Sequence, residues 1–307
     1  MRLASSALVI GLTAVSCDEA DRPIHTQSPP AGPSAPPLSR AKADVVRTSF
    51  VADTPHATPG TEAYVCHVFD AQGIDGKLVG SVAWTPPSGP VAVHHASLFA
   101  ARDRLPVGEI PCDPMPERVA AFGLYTPGAI PLELPAGTAI FLPSGTRRLV
   151  VVAHVLRSAA GAAHPTVVEL GLVATAEHAL NWVDVLAPVP TLYPHRTDSS
   201  IGVCVFDQPA HIVTDWPHMH RRGSAFLGLV VRADGHAETL LEMPKWDYEM
   251  QSIHRVDVQL EAGDAVETIC TWENPTDDTV LPGPFVADEM CNQGLFVWPF
   301  EAARCAN

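Results

Sequence analysis

An all-β fold, organised as two tandem antiparallel β-sandwiches of jelly-roll type, is what this sequence predicts, and three observations predict it. Short β-branched or alternating apolar runs recur along the chain, from Ala63–Phe69 to Gly294–Trp298. Prolines (30) and glycines (21) punctuate those runs as turns. No segment sustains apolar residues at helical spacing over three turns. Many short strands with frequent turn signals imply sandwiches rather than helices packed on a sheet.

The elements follow in chain order. Met1-Arg2 is a short basic start, and Leu3 to Val15 is an uncharged run of apolar and small residues. The run is too short for a stable membrane-spanning helix and reads as a signal peptide over residues 1–16. It closes on Ala14-Val15-Ser16-Cys17, which is similar to a bacterial lipobox. Under that reading Cys17 carries the lipid; the plainer alternative is ordinary cleavage nearby. Either way the chain is expected to leave the cytoplasm. As a lipoprotein it would face the periplasm or outer surface, touching the membrane only through Cys17. Residues 17–43 are rich in Pro, Ser and Ala, a composition that cannot bury a core and serves as a tether.

The folded part divides into two halves of comparable size, 44–185 and 186–307, at the proline-rich stretch Leu186–Pro190 with Pro194 beyond it. Strand runs in the first half are Ala63–Phe69, Leu78–Trp84, Val91–Phe99, Leu149–Leu156 and Val167–Val173. The second half repeats the style with Ile201–Phe206, Ala225–Val231, Val256–Leu260, Ala265–Trp272 and Gly294–Trp298.

A formal net charge of −15 with no basic cluster argues against nucleic acid as a partner. There are seven cysteines. Setting Cys17 aside leaves an even set, as expected of disulfides in an oxidising compartment, with the connectivity open.

Four features carry possible chemistry. In Trp216-Pro217-His218-Met219-His220, residues two apart on a strand share a face, so His218 and His220 can present two imidazoles to one copper or zinc ion. Taken alone, such a pair is often just surface histidine. His94 and His95 are adjacent, so both reach one metal only at a strand end or a bulge, or by using different ring nitrogens. His154 lies alone in the apolar run Val150–Val155, where a hydrogen-bonded core histidine is the commoner case. Met290, within Asp288-Glu289-Met290-Cys291-Asn292, is either core filler or a soft thioether ligand that favours Cu(I). Asp288 and Glu289 read as solvated turn residues, and Arg221 and Arg222 as surface charges.

In this order, the motifs resemble those of the type II copper, ascorbate-dependent monooxygenases, the family of the peptidylglycine α-hydroxylating and dopamine β-hydroxylating enzymes and of bacterial members. The matching stretches are Tyr64-Val65-Cys66, His94-His95, the strand with His154, Pro217-His218-Met219-His220, Gly263-Asp264, Cys270, Asn274, Gly283 and Asp288 to Asn292. They run through nearly the whole folded part. His211 also falls where the family motif has a histidine; here it reads as a ligand's neighbour or a core residue, not a ligand.

The resemblance implies two copper ions. An electron-supplying copper would sit on His94, His95 and His154 in the first sandwich, and an oxygen-activating copper on His218, His220 and Met290 in the second. The two would face each other across an open cleft. It further implies ascorbate or another one-electron reductant, O2, and C–H hydroxylation of a small organic substrate. The implied disulfides are Cys66–Cys112, Cys204–Cys305 and Cys270–Cys291.

The sequence departs from the peptide-hydroxylating members at two positions. Where they carry an arginine and a tyrosine that hold the substrate carboxylate, this chain has Trp216 and Gly294, while Asn292 matches. Without that clamp, peptide amidation is not expected, and Trp216 points to an apolar or aromatic substrate. Two other classes compete with the enzyme: a non-catalytic copper-binding or electron-transfer protein on the same fold, and a two-domain adhesion or carbohydrate-binding module whose histidines are ordinary strand residues.

Overall fold

A computed structural model of the chain describes residues 46–52, 62–71, 73–85, 91–112, 120–126, 131–142, 144–157, 166–283, 287–299 and 303–306. For some strand residues, His94 among them, only the backbone is described. The signal peptide expected at 1–16, Cys17 and the linker at 17–43 lie outside the described residues.

The protein is all-β, with no helix among the described residues and none long and apolar enough to cross a membrane. The strands of the first half are β1 (Val46–Ala52), β2 (Glu62–Asp70), β3 (Leu78–Thr85), β4 (Val91–Ala101), β5 (Gly108–Ile110), β6 (Ala120–Tyr125), β7 (Leu132–Glu133), β8 (Thr138–Phe141), β9 (Arg148–Arg157) and β10 (Thr166–Val173). Those that follow are β11 (His178–Leu186), β12 (Arg196–Phe206), β13 (Ala210–Met219), β14 (Gly223–Val231), β15 (Ala237–Met243), β16 (His254–Leu260), β17 (Ala265–Asn274), β18 (Cys291–Trp298) and β19 (Ala303–Ala306).

Burial follows the two-residue period of the pleat. β17 alternates buried and half-buried residues from Ala265 to Thr271, as a strand with one face on a core should. β13 is buried on both faces over nearly its whole length. Its edges are closed by β16 and β18, and its two faces are the sandwich core and the wall of the site described below.

Three sheets result. Two have five strands, in the orders β5-β2-β9-β4-β6 and β15-β14-β17-β12-β19. A nine-stranded sheet runs behind both in the order β1-β10-β3-β8-β11-β18-β13-β16, with β7 beside β3. The halves therefore share a sheet instead of owning two each. The seam is β11, which pairs in parallel with β8 over His178–Leu180 and antiparallel with β18 over Asn181–Leu186. One apolar cluster packs Leu98, Leu149 and Val151 against Val79, Leu170 and Leu180. A second packs Phe206, Val230 and Val266 against Val185, Ile212 and Leu295. Each such fully buried side chain contributes about 1.5–3 kcal/mol.

Three disulfides add to this: Cys66–Cys112, Cys204–Cys305 and Cys270–Cys291, with sequence separations of 46, 101 and 21. Loop closure makes each worth about 3–5 kcal/mol, and their presence fits folding in an oxidising compartment.

Candidate metal centre

β13 delivers its ligands by the period of the strand. Trp216, His218 and, just past the strand end, His220 project from one face. All three are buried, with His220 fully so. The indole of Trp216 stacks on His218 at 4.8 Å and 14°, and the two imidazoles lie 5.2 Å apart, nearly perpendicular.

What holds these rings is legible atom by atom. His218 Nδ1 donates to the side-chain carbonyl Oε1 of Gln251, and His220 Nδ1 donates to the backbone carbonyl of Asp288 at 3.0 Å. A carbonyl only accepts, so both Nδ1 atoms carry the proton and both Nε2 atoms hold a lone pair. Gln251 is itself fixed. It is buried, its Nε2 donates to the Tyr248 carbonyl at 2.9 Å, and its own carbonyl accepts the Trp216 indole N–H at 3.0 Å. One buried glutamine thus sets both the tautomer of His218 and the pose of Trp216.

Glu289 corrects the expectation of a solvated turn residue, since it is 1% exposed. Its carboxylate accepts the backbone N–H groups of His220 (3.0 Å) and Arg222 (2.5 Å). Burial pushes its pKa up to about 7, while those backbone donors, with that of Met290, pull the other way. It ties the turn carrying Met290 to the end of β13. Met290 immediately precedes β18, whose Cys291 is bonded to Cys270 and whose Asn292 lies opposite His218. Arg221 is exposed, its guanidinium 5.4 Å over the Tyr248 ring, as expected of a surface charge.

On the other side, His95 on β4 and His154 on β9 are register partners, with ring centroids 5.0 Å apart. Tyr64 of β2 stacks on His154 at 5.1 Å and meets His95 edge-on at 6.1 Å. The β4–β9 register slips between Val93 and His95, so His94 sits at an irregularity of the kind two adjacent histidines need to reach one side. Its side chain lies outside the described residues.

The structure brings the two sets together. His95 and His218 rings are 5.4 Å apart, and one cavity of about 120 Å³ is lined by His95, His218, His220 and Met290. Among the described residues no open cleft separates the two sets. The shared sheet and a seam of aromatic side chains hold the halves face to face. Among the described residues no three His, Cys, Asp or Glu side chains converge as a ready metal cage. This follows from the ligand types: the third candidate is a thioether on one side and His94 on the other. Two imidazoles with fixed Nε2 lone pairs beside a thioether form a donor set that fits copper, and Cu(I) in particular.

The remaining cavity wall holds groups not foreseen from the sequence. Trp182 and Asp184 of β11 enter it from the face shared by residues two apart. Asp184 lies opposite Gly294 in the β11–β18 pairing. A Cβ on Gly294 would come within 1.8 Å of the Trp182 indole, so that ring fills the space a side chain at 294 would need. Trp182 and Asp184 left a signal, a tryptophan and an acid on one face of an otherwise apolar strand; Gln251, in a loop, left none. His211 is neither core nor beside a ligand. It bonds Asp257 on β16 at 2.5 Å, and seven strand residues, roughly 23 Å, separate it from His218.

Comparison with known proteins gives two findings. Residues 183–306 match the family model described as copper type II ascorbate-dependent monooxygenase, C-terminal domain. Among solved structures, the N-terminal tandem of CBM22 modules of Xyn10C from Paenibacillus barcinonensis is similar at 10% identity, over 85% of this chain and 98% of that one. Its TM-score of 0.18 is too low to carry any argument.

Proposed function

Because the chain belongs, through residues 183–306, to the copper type II ascorbate-dependent monooxygenases, we propose that it hydroxylates a C–H bond of a small organic substrate with O2 and an external one-electron reductant such as ascorbate. In this reading His218, His220 and Met290 hold the oxygen-activating copper, and His94, His95 and His154 the electron-supplying copper. Copper, when bound, supplies one-electron chemistry and a site for O2 reduction. O2 and two electrons and two protons convert the substrate R–H to R–OH and water.

The observation that carries the proposal is the paired tautomer lock. Gln251 and the Asp288 carbonyl both take an Nδ1 proton, leaving Nε2 of His218 and of His220 as the lone-pair donors beside Met290. Such locking of the far nitrogen is what metal-bound histidines need. The chain's other residues bind and exclude. Trp216, stacked on His218, forms an apolar wall for the substrate, and the burial of the two imidazoles keeps bulk water from the reacting end.

We further read the first half, 44–185, as the electron-supplying unit and 186–307 as the oxygen-activating unit. The protein is taken to be exported, which its three disulfides support, and anchored by a lipid at Cys17.

The test is copper titration followed by oxygen uptake. Two equivalents of copper are expected, falling to one in His218→Ala. The copper-loaded protein with ascorbate should then consume O2 in proportion to a hydroxylated product identified by mass spectrometry. Two equivalents bound with reoxidation but no substrate-linked product would leave a non-catalytic copper protein. Binding well below two, and unaffected by His218→Ala, would end the copper reading.

A further inference from the structure

Three of the six tryptophans stand on one face of the nine-stranded sheet, where they form a column. Trp216 on β13 lies opposite Gly294, and Trp182 on β11 lies opposite Phe296, two residues further along β18. Trp298 is two residues beyond Phe296, which makes it the diagonal neighbour of Trp182, about 7–8 Å away along the sheet. The column starts at the metal cavity, where Trp216 stacks on His218 at 4.8 Å. The Trp216 and Trp182 ring centroids are 6.1 Å apart, and the Phe296 ring meets Trp182 edge-on at 4.9 Å. The column ends at half-buried Trp298, which stacks flat on His178 at 3.8 Å and 1° and has His211 at 5.4 Å.

Packing accounts for rings in a wall, and the N–H groups of these rings add a direction. An indole gives up one electron far more readily than a phenylalanine ring, and the positive ring that results must share its N–H proton. The Trp216 N–H donates to a neutral acceptor, the Gln251 backbone carbonyl, at 3.0 Å, whereas the Trp182 N–H donates to the Asp184 carboxylate at 2.6 Å. A charged acceptor makes the stronger bond, so positive charge is lower in energy on Trp182 than on Trp216. Burial acts in the same sense. Trp216 is buried while Trp182 and Trp298 are half-buried, and charge is less costly where water reaches it. Both effects favour movement of a positive charge outward from the cavity.

We propose that Trp216, Trp182 and Trp298 conduct single electrons between the metal cavity and the surface, and so discharge an oxidising equivalent formed there when no substrate is in reach. The discharge rests on reading His218, His220 and Met290 as an oxygen-reducing copper site. In turnover one oxygen atom of O2 leaves as water and the other enters R–H. Without R–H, that second atom leaves as water only if two more electrons and two protons arrive. Trp216 gives an electron to the site, Trp182 refills Trp216, and Trp298 refills Trp182. Ascorbate, or another one-electron reductant, refills Trp298 at the surface; the sequence runs twice, and solvent supplies both protons. Without the column the equivalent falls on the oxidisable side chain in the cavity wall, the Met290 thioether, which becomes the sulfoxide and is lost as a soft ligand.

The experiment uses the full chain in two arms, with Trp298→Phe, whose ring is not readily oxidised, and Trp298→Tyr, whose ring is. The two variants are close in shape, so a difference between them is not one of packing. In the first arm the chain is metal-free, and photogenerated ruthenium(III) tris-bipyridine, too bulky to enter a cavity of about 120 Å³, withdraws electrons at the surface. Mass spectrometry of peptides then maps the oxidised indoles. Oxidation of Trp182 and Trp216 should fall by about threefold or more in Trp298→Phe and recover in Trp298→Tyr, with Trp84, outside the column, unchanged. Inner oxidation that ignores residue 298 overturns the conduit, and so does a Tyr variant no better than the Phe one. In the second arm the copper-loaded chain is run with ascorbate and O2 but no substrate, and Met290 sulfoxide is counted per O2 consumed. It should rise by about threefold or more in Trp298→Phe and stay at the wild-type level in Trp298→Tyr. Equal sulfoxide in all three proteins overturns the discharge. A wild-type chain that takes up no O2 removes the enzyme and the discharge with it, while the metal-free arm still decides the conduit.

Discussion

His218 and His220 stand two residues apart on one strand, and each gives its Nδ1 proton to a carbonyl brought by another segment, Gln251 from a loop and Asp288 from the turn before β18. His95 and His154 stand opposite one another on neighbouring strands, and the groups packed around them are rings, with Tyr64 against both. The first pair is aimed by hydrogen bonds from residues 33 and 68 positions away. The second is set in register across the pleat and packs against the Tyr64 ring. A pair of the first kind can be retuned one side chain at a time, because each anchor acts on one nitrogen. A pair of the second kind moves only when the sheet moves. The comparison can be broken by any substitution that perturbs both pairs alike.

The largest effect is expected from Cys270→Ser combined with Cys291→Ser. Opening a loop of 21 residues should cost about 3 kcal/mol in denaturant unfolding. Met290 adjoins Cys291, so copper affinity should fall at the His218–His220 side alone. If both copper equivalents weaken together, the two centres are not independently supported.

Next in size is Gln251→Ala. Loss of a group that orients a metal-bound histidine typically costs 10–100-fold in affinity, about 1.4–2.7 kcal/mol. One copper equivalent should weaken by that factor and the other stay unchanged. Gln251→Glu keeps an oxygen facing His218 Nδ1 and should restore most of the loss. Failure of that rescue would show that Gln251 acts through packing.

How much of this was readable in the chain depends on what each feature rests on. The strand runs at Ala63–Phe69, Val91–Phe99 and Ala265–Trp272 were legible because side-chain alternation is local, and each lies within an observed strand. The shared sheet was not, because the parallel pairing of His178–Leu180 with Thr138–Ile140 joins segments with no mutual pattern. Short strands such as β5, β7 and β19 carry too few residues to show a period. Within the site, His218 and His220 announced themselves by spacing. The burial of Glu289 was not legible, because an acid in a turn gives no sign that backbone N–H groups of the β13–β14 turn will surround it. Gln251 depends wholly on where a loop folds back.

A third prediction tests whether the strand bearing His218 is tuned from its other face. Asp215 is fully buried on β13, bonded by Gln293 Nε2 at 2.7 Å, and burial raises its pKa to about 7 despite that bond. The folded form thus keeps its proton to about pH 7, whereas the unfolded chain releases it near the ordinary aspartate value of 3.8. With the folded pKa raised, the favourable contribution is present below about pH 4 and is lost as pH rises to about 7. His254, opposite Asp215 on β16, has its pKa lowered by burial, so its own contribution grows with pH toward neutrality. The difference between wild type and Asp215→Asn isolates the carboxylate. The variant should gain steadily on the wild type as pH rises from 4 to about 7, level off by pH 8, and gain nothing at pH 4. A difference that is flat from pH 4 to 8 would mean Asp215 is ionised throughout.

The smallest effect is the one that most sharpens the comparison. If Tyr64 supports His95 and His154 by its ring, Tyr64→Phe should leave the second copper equivalent within about twofold of wild type. Tyr64→Ala should weaken it by the worth of an aromatic contact, about 0.5–1.5 kcal/mol. Neither should touch the equivalent at His218, even though the His95 ring lies 5.4 Å from that of His218. Copper titrations on the two variants read both effects. Should Phe lose as much as Ala, the hydroxyl is the anchor, and the two pairs are held by the same kind of bond after all. Should either variant weaken both equivalents, the contact between His95 and His218 transmits strain, and the single cavity behaves as one centre.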